Sequence, residues 1–189
     1  MSGGRPALTT PQAWADAALE ELETAGVRAL SVQAVARRLG VSKGGVYHHF
    51  ADRQALLRAA LALWETRHVT DLAARFDAIA DPRERLHRIL VYATAEIEPT
   101  VILQLMAATD DPDVAATLRH GSDARLALLT RVFRELGAPP ARAGHRAIVA
   151  YGHYLGLAQL RAHSPQLLQG PARVRAHIRE VEALLVAGL

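Results

Sequence analysis

The chain has 189 residues, half of them hydrophobic, which is enough for a substantial core in one large domain or one small and one medium domain. It contains no cysteine, which excludes disulfides, zinc–thiolate sites and thiol nucleophiles. Net charge is +3 overall and aromatics are only 5%, so Leu, Ala and Val must fill the interior. Ala, Leu and Arg dominate and strand-like alternation never persists, so the expected class is all-α. No apolar run of about 18 residues exists to span a membrane. The first residues lack the apolar core of a signal peptide, so a cytoplasmic protein without membrane partners is expected.

Residues 1–8 read as a flexible arm, either a solvated tail or a segment whose Arg5 reaches a DNA minor groove. Thr10-Pro11 gives a cap followed by proline at the first helical position, and Trp14, Ala15, Ala18, Leu19 and Leu22 form a buried stripe that Gly26 ends. From Ser31 to Phe50 the chain reads as two short helices around a tight turn. Val32, Val35, Ala36 and Leu39 make one apolar face, and Gly40 stops it. Ser42 offers a hydroxyl to cap a second helix running from Lys43 to about His49, with Val46 and Phe50 on its inner side. That is the helix-turn-helix pattern, whose second helix enters the DNA major groove. Lys43 and His48 are placed to meet phosphates, with Ser42 and the Tyr47 hydroxyl as hydrogen-bonding partners. Gly44 and Gly45 either permit close approach to another surface or merely occupy a first turn, where their propensity cost of about 1 kcal/mol each is muted. Residues 31–53 hold four cations, Arg37, Arg38, Lys43 and Arg53, against Asp52 alone, a local +3 equal to that of the whole chain. Lys43 is the only lysine among 22 basic residues. Asp52 caps the next helix, with Leu56, Leu57, Ala60, Leu61 and Trp64 inward and Arg53 in its first turn beside the DNA backbone.

Residues 9–66 resemble the DNA-binding domain of the TetR family of transcriptional regulators. The resemblance rests on Leu30-Ser31, Val35-Ala36, Leu39-Gly40-Val41-Ser42, Tyr47-His48-His49-Phe50 and Leu56-Leu57, in the family's order and without an insertion. Ser31 stands where threonine is commonest and Arg53 where lysine is usual. The resemblance implies an all-α protein: a helix-turn-helix domain at 9–66, its reader at about 32–51, then a helical ligand-binding and dimerisation domain at 67–189. It also implies DNA contacts from Ser31, Ser42, Lys43, Gly44, Gly45, Tyr47, His48 and Arg53.

The helix from residue 53 is expected to continue to about 79, long enough to carry movement between domains, with Trp64 and His68 where the two should meet. Asp81-Pro82 starts a helix over 82–96, broken by Glu98-Pro99, and a short apolar helix follows at 100–108. Further helices are predicted at 112–120, 122–136, 141–163 and 171–187, separated by Gly137-Ala-Pro-Pro and Ser164-Pro165. The 141–163 stretch is apolar nearly all round and needs neighbours on every side. Its Gly152 and Gly156 share a face and allow close helix approach, within one subunit or across a dimer. In the family the eighth and ninth helices build a four-helix bundle between subunits. Counting along the predicted elements assigns that role to 122–136 and 141–163, with Leu129, Phe133, Gly152, Gly156 and Leu160 at the interface. Two readers on a two-fold axis would meet half-sites of a palindromic double-stranded operator about 34–36 Å apart.

The family's helices 4 to 8 enclose a ligand cavity, for which Trp64, His68, Phe76, Tyr92, Leu103, Gln104, Met106 and Tyr151 are the candidates here. Such a lining suits a mostly apolar small-molecule effector, with polar contacts from His68, Gln104 and Tyr151. Nine histidines allow a metal site in principle, with His145 and His153 on one face, but ligand spacings such as H-E-x-x-H are missing and none is assigned. No G-x-S-x-G elbow, Walker loop or dinucleotide fingerprint occurs, so neither catalysis nor a cofactor is expected. The expectation is a homodimeric regulator, a repressor that leaves its operator when ligand binds. The alternative is a small-molecule-binding or metal-sensing protein of the same fold.

Overall fold

The computed structural model describes residues 10–96 and 100–189, with the side chain of Val46 excepted. The predicted N-terminal arm with its Arg5, the Glu98-Pro99 break and the inward role of Val46 fall outside the described residues. Every element among the described residues is helical or a turn. The chain divides into two compact units: Met1–His68 with Thr100–Leu118, and Val69–Pro99 with Arg119–Leu189. The first unit takes in a stretch after residue 100 that the predicted domain boundary had placed with the remainder of the chain.

In the first unit, α1 (Pro11–Ala25) begins where the Thr10 hydroxyl accepts the Ala13 N–H at 3.1 Å, with proline in the first turn. Trp14, Ala18 and Leu22, one turn apart, are fully buried. Gly26 ends the helix at φ +83°, a backbone conformation that favours glycine, and a Cβ there would push aside the flexible end of Gln104, whose Oε1 would lie 2.6 Å away. α2 (Val32–Leu39) begins at Ser31, whose Oγ accepts the Ala34 N–H at 3.1 Å. It closes at Gly40 in the left-handed region, with N–H bonds from Gly40 to Arg37 and from Val41 to Ala36.

Lys43–His48 forms a 3-10 segment rather than the expected α-helix. Two adjacent glycines withdraw helix propensity, and six residues offer few i→i−4 bonds to compensate. α3 (Arg53–Glu65) is capped by Asp52, which accepts the Ala55 N–H at 2.7 Å, and buries Leu56, Leu57, Ala60, Leu61 and Trp64. The predicted long helix does not run straight on. It widens into a π turn at Thr66–Thr70 and resumes as α4 (Asp71–Asp77), the change falling on β-branched Thr66, Val69 and Thr70. α6 (Thr100–Met106) and the start of α7 (Pro112–Glu135) complete the first unit's core through Ile102, Leu105 and Val114.

The second unit holds α4, α5 (Pro82–Val91) with a π turn at Tyr92–Glu96, the rest of α7, α8 (Pro140–His163), a 3-10 turn at Pro165–Leu168 and α9 (Pro171–Val186). α7 replaces the two predicted helices at 112–120 and 122–136. Gly121, expected to separate them, is buried mid-helix, and packing overrides its propensity cost of about 1 kcal/mol. Leu86, Leu90, Val132, Phe133, Ala143, Ala147, Leu157 and Ile178 form the core. Arg85 is buried there: its Nε donates to the Ile79 carbonyl at 2.8 Å and its Nη1 pairs with Glu135 at 2.7 Å. Arg146 donates to the carbonyls of Leu185 and Ala187, capping the end of α9.

Candidate functional site

The reader presents a polar outer surface on an apolar back. Ser42, Lys43, Gly44, Tyr47, His48 and His49 are exposed, Tyr47 by 61%, while Gly45 is half-buried against the Trp14 ring. A Cβ on Gly44 would meet only Ser42 Oγ at 3.9 Å, and one on Gly45 would meet Trp14 at 3.5 Å, an ordinary contact. Neither glycine is therefore required by packing within the protein. The start of the reader and α2 together shape a shallow concavity of about 360 Å³ lined by Gln33, Ala36, Arg37, Val41 and Lys43. Its two cations, Arg37 and Lys43, face no carboxylate in the lining. Gln33 and Arg37 lie four apart on the outer face of α2, a spacing that makes them neighbours of each other, and neither was among the expected contacts.

Two expected phosphate contacts are engaged internally. Arg53 donates through Nε to the Leu30 carbonyl at 2.8 Å and through Nη2 to the Val27 carbonyl at 2.6 Å, tying α3 to the turn before α2. Ser31 uses its hydroxyl to cap α2. Their partners lie in the protein's own backbone, which occupies the Ser31 hydroxyl oxygen and two of the Arg53 nitrogens. Arg38, counted in the local positive charge, pairs with Glu20 at 3.3 Å and Glu21 at 3.0 Å, and the Glu21 carboxylate holds its guanidinium above the ordinary arginine range. The cationic surface that remains outward consists of Arg37 and Lys43, with His48 and His49 beside them.

The eight expected ligand contacts do not gather in one place. Trp64, His68, Leu103, Gln104 and Met106 belong to the first unit. Trp64 is buried on the inner face of α3 with His68 beside it, ring centroids 6.0 Å apart; Gln104 packs on Gly26; Met106 is exposed. Phe76, Tyr92 and Tyr151, in contrast, converge in the second unit on a cavity of about 70 Å³, joined by Tyr154, Arg125 and His153. Phe76 and Tyr92 meet edge to face at 5.9 Å, and Tyr151 and Tyr154 stack at 6.0 Å. The Tyr151 hydroxyl shares a hydrogen bond with Ser122 at 3.1 Å. Burial pushes the Tyr154 phenol up to about 12 and also raises Tyr92. Tyr154, His153 and Arg125 were not among the expected cavity residues: α8 is apolar nearly all round and does not reveal its inward face, and no local pattern on α7 marks Arg125 as lining a cavity.

Leu129 and Phe133, expected at a subunit interface, are 6% and 0% exposed. Leu129 lines the aromatic cavity and Phe133 sits in the core, so neither side chain is available to a partner. Because α7 is continuous, the eighth and ninth helices are α8 and α9, one element further along than predicted. α8 exposes Ile148, Val149, Gly152, Gly156, Gln159 and Leu160 along one face, and α9 exposes Leu184 by 69%. A Cβ on Gly152 or Gly156 would meet nothing within 4 Å.

His145 and His153 do not act together: His145 is exposed, whereas His153 lies against His177 of α9 with ring centroids 5.1 Å apart. Among the described residues no three His, Asp or Glu side chains converge as metal ligands. Among them, too, no single helix is long and apolar enough to cross a membrane.

Comparison with known proteins agrees with this architecture. Residues 15–60, which hold α1, α2, the reader and the start of α3, match the model of bacterial regulatory proteins of the tetR family. The HTH-type transcriptional regulator BetI of Stenotrophomonas maltophilia is 30% identical over 143 residues, 71% of this chain and 72% of the relative. A transcriptional regulator from Rhodococcus superposes with a TM-score of 0.78 at 25% identity, covering 95% of this chain and 97% of its own. A chain from Saccharomonospora viridis solved in complex with choline shares the fold with a TM-score of 0.75 at 17% identity, covering 94% of this chain and 96% of its own. With an exposed cationic reader and a relative matched over most of its length, this is a DNA-binding transcriptional regulator, not an enzyme, and it belongs to the tetR family.

Proposed function

We propose that this regulator is a homodimeric repressor acting in the cytoplasm. It holds a palindromic operator with two readers and releases it when a small, mostly apolar molecule enters the aromatic cavity of the second unit. The observation that carries this reading is a contrast in how the reader's groups are used. Ser31, Arg38 and Arg53 are engaged inside the protein, whereas Arg37, Lys43, Tyr47 and His48 point outward without an ion pair among the described residues. Lys43, Arg37 and the Ser42 and Tyr47 hydroxyls grip phosphates, and Gly44 lets the backbone come close to the groove.

The dimer reading rests on α8 and α9. An outer face carrying Ile148, Val149 and Leu160 around two glycines that serve no contact inside the protomer is suited to a two-fold partner helix. The effector reading rests on Phe76, Tyr92, Tyr151 and Tyr154. Their cavity of about 70 Å³ has room for roughly two waters, so an effector must widen it. That requirement supplies the differential affinity between two shapes that any ligand-driven switch needs. The Saccharomonospora viridis chain was solved with choline; here the rings of Phe76, Tyr92, Tyr151 and Tyr154 make the lining mostly apolar.

The test is fluorescence anisotropy on the duplex upstream of the coding region, across a salt series, with sedimentation of the free protein. Observed affinity falls steeply from 50 to 200 mM salt, and Lys43→Ala with Arg37→Ala flattens that slope by about two. Val149→Glu with Leu160→Glu yields monomers that lose the operator. A flat salt response in the parent protein removes the phosphate contacts, and an unchanged dimer in the double-Glu variant removes the proposed interface.

A further inference from the structure

The second unit contains another, larger concavity that shares no residue with the aromatic cavity. It measures about 750 Å³, within the range of small-molecule sites, and lies among α5 with its π turn, the end of α8, the 3-10 turn and α9. Its chemistry differs from that of the aromatic cavity. Arg161 reaches it from α8, and Arg175 and Arg179, four apart on one face of α9, reach it from another side. Val91, Leu168, Val174 and Ile178 provide apolar walls.

Among the described residues no carboxylate belongs to the lining. Glu182, the acid bonded to the lining residue His87, is taken up in that pair at 2.9 Å. Glu96, at the end of the π turn, pairs with Arg75 and Arg88. Arg161 places one donor on the Thr94 carbonyl at 3.2 Å, which orients its guanidinium and leaves its other N–H groups available. Arg175 and Arg179 have no ion pair among the described residues. Guanidinium groups converging on an apolar-walled concavity repel one another and focus a positive field into it, an arrangement relieved by an anion.

We propose that this cleft binds an anionic amphiphile, with its carboxylate or phosphate head held by Arg161, Arg175 and Arg179 and its apolar body against Val91, Leu168 and Ile178. Guanidinium matches both heads by paired N–H···O bonds, so the shared chemistry is a compact oxyanion on a hydrocarbon body. The site is additional to the effector cavity and does not require it. The two are adjacent in sequence through one turn: Tyr92 and Ala93 line the aromatic cavity, while Thr94 and Ala95 line the cleft. π turns inside helices are frequent at functional sites.

Isothermal titration calorimetry of the full chain with decanoate, decyl phosphate, decanol and decyltrimethylammonium tests this. One anion binds per chain, and comparison of the two anions identifies the preferred head. Decanol binds roughly tenfold or more weakly, the worth of about one charge-assisted contact, and the cation does not bind. Arg175→Gln with Arg179→Gln, both exposed positions, weakens the anion by at least about tenfold while the melting temperature and ligand-free operator affinity stay unchanged. Val174→Trp, which fills the cleft, blocks binding, whereas Ala150→Phe, which fills the aromatic cavity, does not. The proposal is overturned if decanol matches decanoate, if the double Gln variant binds decanoate unchanged, if neither anion binds at millimolar concentration, or if Ala150→Phe alone abolishes binding. Those results bear on the cleft alone; the operator assay decides the regulator reading separately.

Discussion

Behind the reader the first unit ties its cations to carbonyls and carboxylates, whereas the second unit encloses two cavities, one lined by aromatic rings and one by arginines. Around the reader, Arg53 is tied to two carbonyls, Arg38 to two glutamates and Arg28 to Asp110. Gln54 donates to both Asp111 and Asp113, lowering the Asp113 carboxyl, and Arg58 reinforces the effect. In the second unit, the Nε2 atoms of His153 and His177 are buried without a hydrogen-bond partner among the described residues. Four aromatic rings line a small void there, and a cluster of arginines stands around a large one. A body that presents a fixed surface to DNA gains from over-determination. A body that must admit a ligand and change shape needs slack, and unsatisfied groups and voids are where local stability is lowest.

The sharpest way to break that comparison is Arg53→Leu. If Arg53 positions the reader, its loss removes the Arg53 donor from the Leu30 carbonyl and leaves the Val27 carbonyl with the Leu30 N–H alone, and costs about 1–3 kcal/mol of stability. Arg53→Lys recovers only part, because one ammonium cannot reproduce a forked pair of bonds. Thermal unfolding measures the loss, and operator titration well below the melting point shows an unchanged salt slope. A variant that melts normally but loses about one unit of salt slope would return Arg53 to the phosphate contacts.

How far the fold could be read from the chain depended on the distance between a residue and its partner. Thr10, Ser31, Asp52 and Gly40 bond within five residues of themselves, and their roles as caps and stops follow from local spacing alone. Arg53 bonds carbonyls 23 and 26 residues back, and no local pattern announces that, so a first-turn cation looked like a DNA contact. Gly121 carries a real helix penalty that burial outweighs, and misplacing that single boundary put part of the expected interface on α7, where Leu129 and Phe133 are core, beside the exposed Gly152, Gly156 and Leu160 of α8. The reader's outward set was legible because polar residues on a short amphipathic segment have only one place to go. The aromatic cavity was legible for Phe76, Tyr92 and Tyr151 but not for Trp64, His68, Leu103, Gln104 and Met106. Helical spacing alone does not tell a lined cavity from a filled core.

A smaller effect probes the slack of the second unit directly. Burial, and then the neighbouring His177, hold the His153 imidazole below its ordinary range. The unfolded chain takes up that proton near pH 6.5 and the folded chain only at lower pH. Between those two values the unfolded state binds more protons, so stability rises with pH through that window and is level above it. Moving from pH 7.5 to 5.5 therefore lowers the stability that this site contributes. His153→Phe keeps a ring against His177 and removes the titration. Urea unfolding at the two pH values checks this: a variant whose pH dependence equals that of the parent would clear His153 of any role.

The smallest expected change in stability lies in the reader itself, where it separates packing from recognition. Gly44 and Gly45 are not at positive φ, so alanine at either is conformationally acceptable. The added methyl meets Ser42 Oγ at 3.9 Å in one case and Trp14 at 3.5 Å in the other, neither a clash. Each substitution should therefore leave stability unchanged or raise it by about 0.4–1 kcal/mol, by restricting the unfolded chain. Operator binding should respond in the opposite direction and unequally. Gly44 is exposed on the outer surface, where a methyl keeps the backbone from the groove, whereas the Gly45 methyl turns toward Trp14. Gly44→Ala that melts higher yet binds operator several-fold more weakly, beside a Gly45→Ala that binds nearly normally, would assign the first glycine to DNA and the second to its backing. Equal operator affinity in both would mean that the pair merely occupies a tight turn, and close approach would have to come from elsewhere in the reader.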